Sequence, residues 1–462
     1  MNEDNEEIIS YKKNSPFGGR GLALFIMSAA KGHLNASFGL ARLVQRSSKV
    51  IFAAPLQMHA YIGQQGFGAV SLEGLPFGIN GEKALDDMAQ LQRVKYFDSL
   101  IDRFYDKIYT TRREAIERIV QQTKPDLVFL DSFQSTDFIL LYPLSKKYNF
   151  QIIFVQTMFS FRQQPCNLPL DCAVVANSTT NFNWYWQWYY FKRRLRFIRE
   201  SVIYLGKSNR RMVSDAIARS DGVAQAIDYD QCFRVGFKNI PELIIAPQGL
   251  EFTTQKQPYQ YYLGLMVDIE RVETVSESVR IFLNNLPTDR ILIYCSLGTL
   301  YADYGNQKHI LRFFKNLLQT AVQLADCEFI ISLSGLFSKQ FIDIPPNVHF
   351  FEFVPQILIL KRSAVFVTHG GLNSIRESIA LGVPMLVYPV DLRWDQPGNA
   401  AKVVFHGLGL HGKMAIDNAK QIETKIKTLY QNPSFKERIL KFRNEDRSEA
   451  IASILSKMKK MK

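Results

Sequence analysis

The stretch Phe366-Val-Thr-His-Gly-Gly-Leu-Asn-Ser-Ile-Arg-Glu377 decides the fold. Its first part, with Val365, is apolar and rich in β-branched or aromatic residues, which predicts a short buried strand. The two glycines allow a tight turn at low steric cost. Asn373 is a good N-cap for a helix that should end at Gly382. In such a unit, free backbone N–H groups and the positive end of the helix dipole face one spot, which favours a bound anion.

The side chains of this stretch are compatible with a nucleotide diphosphate. His369 and Ser374 are additional hydrogen-bond donors at the turn. Glu377 lies one turn further into the helix, where a carboxylate suits two ribose hydroxyls better than a phosphate. A strand, a glycine turn and a helix also form ordinary βα turns without any ligand, so these residues alone leave both interpretations open.

The longer pattern is more specific. V-P-Q at 354–356 is followed by H-G-G-x-N-S-x-x-E from His369, G-V-P-M from Gly382 and D-Q-x-x-N-A from Asp395. This order resembles the donor-site signature of the family 1 glycosyltransferases, which are UDP-sugar-dependent, inverting enzymes and include plant, macrolide and carotenoid transferases. The resemblance implies an α/β protein of the GT-B fold, with two Rossmann-like parallel-sheet domains facing across a cleft, and we expect a bacterial member.

The resemblance also implies roles for residues at the matching positions. The diphosphate would be bound by His369, Asn373 and Ser374, the ribose by Glu377, and the sugar hydroxyls by Asp395 and Gln396. The predicted donor site as a whole comprises Ser296, Gly298, Thr299, Phe353, Val354, Gln356, His369, Gly371, Asn373, Ser374, Glu377, Asp395 and Gln396.

Some of these positions depart from the plant pattern. Phe353 would stack on the base where the family usually has tryptophan, while Val354 would contact the uracil through its backbone. Leu372 also replaces a tryptophan, and a longer insertion places Trp394 beside the expected sugar. The alternative interpretation of Asp395 and its neighbour is a simple helix N-terminal cap.

The N-terminal half predicts a catalytic pair. Residues 22–27 and 50–55 are apolar strands separated by a helical pattern, which indicates a parallel sheet with ligands at the carboxyl ends of its strands. His33 lies in the first loop, and Asp131 ends the strand of residues 124–131. A carboxylate there can hold the imidazole in one tautomer and make it a better base. A lone histidine after a strand can also be purely structural.

The resemblance adds a role for this pair. Family members use a histidine in a G-H-x-x-P-like turn as general base on the acceptor hydroxyl, assisted by an aspartate that ends a P-D-x-x-x-x-D strand. Here Ala36 replaces the proline. We interpret Asp126 and Asp137 as strand-flanking and helical surface groups.

Length and composition predict two domains in a globular protein: 462 residues, 47% hydrophobic and 21% charged. We expect an N-terminal acceptor domain at 1–255, a linker at 256–270, a nucleotide-sugar domain at 271–435 and C-terminal helices at 436–462. The acidic start, scattered cysteines and lack of a long apolar run predict a cytoplasmic protein. The D-x-D motif from Asp228 has no supporting ligands, so we expect neither a metal nor a cofactor beyond the UDP-sugar.

An aromatic and basic segment at 182–211 has three interpretations. It holds eight Lys or Arg residues and three of the four tryptophans, in a chain of net charge +13. It could be a helix packed on the sheet with a solvated basic face, a helix at an anionic membrane surface, or a single-stranded nucleic-acid site. In the family this region helps to build the acceptor pocket, which favours an apolar acceptor drawn from a membrane over a nucleic acid.

These observations predict an inverting hexosyltransferase. It would move a sugar, expected to be glucose, from a UDP-sugar to a hydroxyl of a small apolar or lipid-like acceptor. The enzyme would be cytoplasmic or peripheral to the inner face of the membrane. The alternatives are a sugar-nucleotide epimerase of the same fold, or a non-enzymatic basic protein that binds lipid or nucleic acid.

Overall fold

Two parallel β-sheets covered by helices organise the chain. The structure is a computed structural model and describes residues 21–78, 96–220, 222–228, 236–255, 257–271, 273, 275–287, 289–298, 307–333 and 338–445. The strands are β1 Leu22–Ile26, β2 Lys49–Ala54, β3 Gly68–Ser71, β4 Leu127–Asp131, β5 Gln151–Gln156, β6 Ile227–Asp228, β7 Gly236–Phe237, β8 Glu242–Ile244, β9 Gln260–Tyr262, β10 Ile291–Ser296, β11 Cys327–Ser332, β12 Val348–Phe351, β13 Val365–Thr368, β14 Met385–Val387 and β15 Gly409–His411.

The helices follow the α/β alternation that the sequence predicts. They are α1 Lys31–Gln45, α2 His59–Gln64, α3 Tyr96–Tyr105, α4 Lys107–Thr123, α5 Asp137–Tyr148, α6 Phe182–Ile203, α7 Asn209–Ala218, α8 Glu277–Asn285, α9 Gln307–Gln323, α10 Gln356–Leu360, α11 Leu372–Leu381, α12 Gln396–Phe405, α13 Ala419–Gln431 and α14 Pro433–Glu445. None of the helices in the described part of the chain combines the length and apolarity needed to cross a bilayer.

The first sheet has the strand order β3-β2-β1-β4-β5-β8-β9 and is parallel throughout. Strand β1 reads Leu-Ala-Leu-Phe-Ile and is buried along its whole length. Its alternate residues enter two cores, with Leu24 in one and Phe25 in the other. Helices cover both faces of such a sheet, which explains why its strands are continuous apolar runs.

The second sheet has the order β12-β11-β10-β13-β14-β15 and is also parallel. Its central pair joins Ser296 of β10 to Thr368 of β13. One apolar core lies between the two sheets and contains Met158 and Trp186 from the first half and Leu372 and Ile439 from the second. The predicted pair of parallel-sheet domains is therefore confirmed, and helix α14 contributes to the contact between them.

Two predicted segments differ from the structure. The linker expected at 256–270 contains β9, because Gln260 pairs with Glu242 of β8 and extends the first sheet. The region from Leu85 to Gln122, whose apolar spacing predicts helix, is described from Tyr96 onward, and its helix is interrupted at Asp106, whose φ of 51° is left-handed. Aspartate tolerates that conformation better than most residues. The N-terminal lead-in, the remainder of that helix and the helix expected at 448–460 lie outside the described residues.

Candidate active site between the two sheets

The predicted catalytic pair, His33 and Asp131, lies at the point where the strand order of the first sheet reverses. Strand β1 has β2 on one side and β4 on the other, and such switch points open a crevice at the carboxyl ends of the strands. Helix α1 begins there at Lys31, so His33 lies in its first turn rather than in the expected loop. The helix starts earlier because the N–H groups of His33 and Leu34 both donate to Ala30 O, at 3.0 and 3.1 Å.

The structure brings His33 and Asp131 into direct contact. The imidazole Nδ1 lies 2.6 Å from Asp131 Oδ2 and 2.9 Å from the hydroxyl of Thr157. Asp131 is fully buried and also accepts backbone N–H bonds from Ser28 and Phe133, at 3.0 and 2.9 Å. These donors fix the carboxylate. A proton on Nδ1 facing it leaves the lone pair of the imidazole on Nε2, where a substrate hydroxyl could lose its proton.

An aromatic chain joins this pair to the second half of the molecule. The ring of Phe133 lies 5.1 Å from that of His33 and 5.4 Å from that of Trp394. Trp394 precedes Asp395, so the sugar-binding positions predicted from sequence face the predicted base. Asn373 also donates to Gly32 O across the gap, at 2.5 Å.

The second switch point lies between β10 and β13. Here His369 is buried against glycines: a Cβ at Gly298 would lie 2.8 Å from its Cε1, and one at Gly371 would lie 2.6 Å from its Nε2. Burial lowers the pKa of His369 to about 4, so the ring is neutral at physiological pH. Its Nδ1 is buried and has no partner among the residues that the structure describes.

The helix after this turn begins two residues earlier than the sequence predicted. Gly371 occupies the N-cap position of α11, and no side chain caps the helix. Asn373 is therefore the second helical residue rather than the cap. The first N–H groups of a helix lack intrahelical partners, so they can bind an anion beside His369. Ser374 lies among them, and the helix ends at Gly382 as predicted, with a left-handed φ of 75°.

Glu377 is held by two partners in the structure. It forms an ion pair with Arg271, and its Oε2 accepts from Gln356 Nε2 at 2.6 Å. Arg271 also pairs with Glu273 at 2.6 Å. The carboxylates keep the pKa of Arg271 above its usual value, although burial opposes this effect. Arg271 was missed at the sequence level because its partner lies 106 positions away.

Asp395 and Gln396 are both held by contacts within their own segment. Asp395 occupies the N-cap position of α12 but makes no side-chain cap bond; its Oδ2 accepts from Asn399 at 2.8 Å. Gln396 Oε1 accepts from Val390 N and Asp391 N, at 2.8 and 3.0 Å. Burial raises the pKa of Asp395, and the nearby His33 is among the groups that oppose the rise.

The predicted base site is open. Phe353 is 66% exposed, and Lys31 Nζ lies 5.3 Å from the centre of its ring. Val354 is half-buried beside it. Lys31 comes from the first half of the chain and was not predicted to face the donor. Of the S-x-G-[ST] loop, Ser296 and Gly298 lie at the end of β10, and Thr299 is outside the described residues.

One sequence prediction near the site is wrong. Asp137 was interpreted as a surface group, but it is fully buried and pairs with Arg112 at 2.6 Å. The two side chains come from neighbouring helices, so local sequence could not indicate the pair. In the described ranges, no group of three or more His, Cys, Asp or Glu side chains is arranged to hold a metal ion. Asp230 of the D-x-D motif lies outside those ranges.

Comparison with known proteins agrees with this geometry. Residues 315–459 match the sequence family described as erythromycin biosynthesis protein CIII-like, C-terminal domain. UDP-glucuronosyltransferase 2C1 of Oryctolagus cuniculus is 26% identical over 201 residues, which is 43% of this chain and 38% of that protein. UDP-glucuronosyltransferase 3A1 of Mus musculus is 23% identical over 340 residues, or 70% of this chain and 59% of that protein.

Solved structures share the whole architecture at low sequence identity. The glycotransferase of kitacinnamycin superposes with a TM-score of 0.62 at 19% identity, covering 92% of this chain and 94% of the other. Spinosyn rhamnosyltransferase SpnG complexed with thymidine diphosphate superposes with a TM-score of 0.59 at 15% identity, covering 95% of this chain and 100% of the other.

Two parallel sheets whose switch points meet across a cleft define the GT-B class of proteins, and the chain has that fold. Taken with the donor-site motifs, these matches show that the chain is similar to the family 1 glycosyltransferases. The chain spans 38% and 59% of the length of the two curated relatives, so the reaction, the donor and the acceptor are proposals for this chain.

Proposed function

We propose that the chain transfers a sugar from a nucleoside-diphosphate sugar to the hydroxyl of a small apolar acceptor, with inversion at the anomeric carbon. The contact of His33 with buried Asp131, at 2.6 Å, is the observation that carries the proposal. It provides an oriented base at one switch point. The turn of His369 provides an anion site at the other.

In this mechanism, Nε2 of His33 takes the proton of the acceptor hydroxyl while the acceptor oxygen attacks C1 of the sugar. The bond from C1 to the phosphate oxygen breaks, and the nucleoside diphosphate leaves with the electron pair. Asp131 stabilises the imidazolium that forms. General-base assistance of this kind contributes roughly 10²–10⁴ in rate. The start of α11 and the neutral ring of His369 would stabilise charge on the leaving diphosphate.

We propose UDP-glucose as the donor. In this proposal Glu377 would accept from two ribose hydroxyls, which favours a ribonucleotide, and both curated relatives above carry UDP in their names. The SpnG structure holds thymidine diphosphate, so a dTDP-sugar is the second candidate. Trp394 and Phe133 line the gap between the halves and favour an apolar acceptor.

The test measures release of UDP from UDP-glucose, and of dTDP from dTDP-glucose, with and without a membrane-lipid extract. Wild type and His33→Ala are compared. Release that needs the extract and is lost in the variant would support transfer to a lipid acceptor. Release without the extract would be transfer of the sugar to water, and an extract that adds nothing to this rate while UDP still binds would move the search for the acceptor to soluble phenolic or polyketide compounds. Conversion of the sugar nucleotide without release of UDP would indicate the epimerase, and binding of neither nucleotide would overturn the proposal.

A further inference from the structure

Helix α6 turns an apolar stripe toward solvent. Six large side chains recur at alternating spacings of four and three residues, so they share one face of the helix. Each is between 49% and 72% exposed. We name this face the α6 stripe, and its members are Trp184, Trp188, Phe191, Leu195, Ile198 and Val202.

The opposite face of the helix is fixed to the body of the protein. Trp186 is buried in the apolar core between the sheets, and its indole N–H donates to Asn167 O at 2.8 Å. Glu200 is buried on the same side. The helix therefore has two apolar faces, and the α6 stripe is the one that the fold leaves uncovered. This differs from the interpretation of the segment as a packed helix with a merely basic outer face.

The exposed charges that α6 itself carries around the stripe have a single sign. Glu200 is the only acidic residue of α6, and it is buried away from the stripe. On a helical wheel, Lys192 and Arg199 border one edge of the stripe and Arg194 borders the other. All three are exposed, and Lys192 also lies 3.4 Å from Asp171.

Helix α3 lies beside the end of α6 and forms an exposed apolar extension there. Ile101 and Phe104 are 56% and 51% exposed. The helix is attached to the end of α6 by Arg103, whose guanidinium lies 3.7 Å from the centre of the Tyr204 ring. Lys207 Nζ lies 5.9 Å from the centre of the Phe104 ring, so a further basic residue adjoins the extension.

We propose that the α6 stripe docks on an anionic membrane surface. Apolar side chains of such a helix enter the boundary between headgroups and acyl chains while arginines remain at the phosphates. At 1.5 Å per residue, α6 would lie along roughly 33 Å of the bilayer. Charge argues against a second copy of the chain as the occupant, because pairing two stripes would bring arginines together with no exposed acid on α6 to match them.

The face of α6 opposite the stripe packs on the acceptor side of the cleft. Trp186 packs on the loop after β5, and Thr157 at the start of that loop contacts His33. If the proposed transfer holds, docking would place the cleft beside lipid-dissolved acceptors. Docking itself does not depend on that reaction.

The experiment measures co-sedimentation with vesicles of phosphatidylcholine alone and with vesicles that also contain phosphatidylglycerol, without any sugar nucleotide. We expect binding only to the anionic vesicles. Trp188→Gln with Ile198→Gln should weaken it at least tenfold. The matched control is Leu56→Gln with Ile342→Gln, which removes two even more exposed apolar side chains elsewhere and should bind like wild type.

The charges are tested in the same assay. Arg194→Gln with Arg199→Gln should weaken binding by roughly tenfold or more, since each cation near an anionic surface contributes about 1 kcal/mol. Arg280→Gln with Lys361→Gln removes the same charge away from the stripe and should leave binding unchanged. His33→Ala should bind vesicles as wild type does, so failure of the catalytic proposal and failure of docking are distinguishable.

A second measurement uses the unmodified protein. Trp184 and Trp188 lie in the stripe, so brominated anionic lipids should quench tryptophan fluorescence. The proposal is overturned if wild type does not bind anionic vesicles, or if the control variants lose binding as much as the stripe variants. It is equally overturned if the stripe variants instead dissociate a dimer, or if the stripe binds a polynucleotide with steep salt dependence and no lipid.

Discussion

The two switch points of the molecule differ in how their polar groups are satisfied. In the first half, Asp131 accepts from two backbone N–H groups and contacts His33, so the pair is complete within the fold. Around the second switch point, four buried atoms lack hydrogen-bond partners among the described residues: His369 Nδ1, Asn373 Oδ1, Arg376 Nε and Asn399 Oδ1. An unsatisfied buried polar group costs about 1–3 kcal/mol. Buried atoms without partners also occur in the first half, at Ser132 and Gln156, so the contrast concerns the residues of the two sites: the His33–Asp131 pair is held for a reaction step, and the turn at His369 leaves polar atoms available to a ligand.

The largest predicted effect lies in the first half. His33→Ala should lower kcat by roughly 10²–10⁴, because no other oriented base replaces the imidazole. Asp131→Asn should cause a smaller loss, roughly a hundredfold, because the imidazole loses its orienting carboxylate. The double variant should be no slower than His33→Ala, since the two side chains act as one unit. Steady-state rates of the three proteins give this comparison.

Asp126→Asn is the matched control for Asp131. Asp126 accepts a backbone N–H bond from Leu22 at 2.8 Å at the opposite end of the sheet, so the same chemical change occurs away from the cleft. Its kcat should equal that of wild type. Additive losses in the double variant, or an equal loss in the control, would contradict the assignment of the pair.

The next effect lies in the second half and concerns nucleotide choice. Glu377→Gln should weaken UDP binding by roughly 10–100-fold, because hydrogen bonds to a charged group contribute about 1.5–3 kcal/mol. Binding of dTDP should weaken less, since deoxyribose lacks one of the hydroxyls. Fluorescence or calorimetric titration with both nucleotides measures the difference.

Glu377→Gln also removes an ion-pair partner of Arg271, and Glu273→Gln is the control for that loss. It removes one partner of that guanidinium while leaving the Glu377 carboxylate in place, so nucleotide affinity should change only slightly. If Glu273→Gln and Glu377→Gln weaken UDP equally, Glu377 is a structural group and does not contact the ribose.

The smallest predicted effect is a pH dependence of stability. The pKa of His369 is about 4 in the folded chain, against an ordinary value of 6.5. The unfolded chain therefore binds more protons between these values, and stability is present above pH 6.5 and is lost as pH falls toward 4. Between pH 7 and pH 5 the loss should be about 2 kcal/mol. Urea unfolding should show this loss in the free energy of unfolding for wild type. The free energy of His369→Gln should not contain it.

Both sheets and the main residues of the two switch points could be predicted from the sequence. The apolar runs predicted both sheets, and the position of His33 and Asp131 at the ends of β1 and β4 predicted their meeting, because parallel strands bring those ends together. Local pattern located the turn at Gly370 and the helix end at Gly382 for the same reason: glycine marks positions of positive φ.

The remaining features depend on contacts between distant segments. Asn373 looked like the N-cap, but the cap is a glycine without a side chain to signal it. Two ion pairs join residues that are far apart in the sequence, so no local pattern predicts them: Arg112 with Asp137, and Arg271 with Glu377. The outward direction of the α6 stripe is also set by tertiary packing: the sequence shows an aromatic helix, but only the burial of Trp186 determines which face remains exposed.

Titration of UDP into wild type, His33→Ala and Glu377→Gln, followed by calorimetry, tests the division of roles most directly. The account predicts that His33→Ala binds UDP with the wild-type Kd while transferring sugar slowly, and that Glu377→Gln binds it at least tenfold more weakly. Equal weakening in both variants, or unchanged binding in Glu377→Gln, would contradict it.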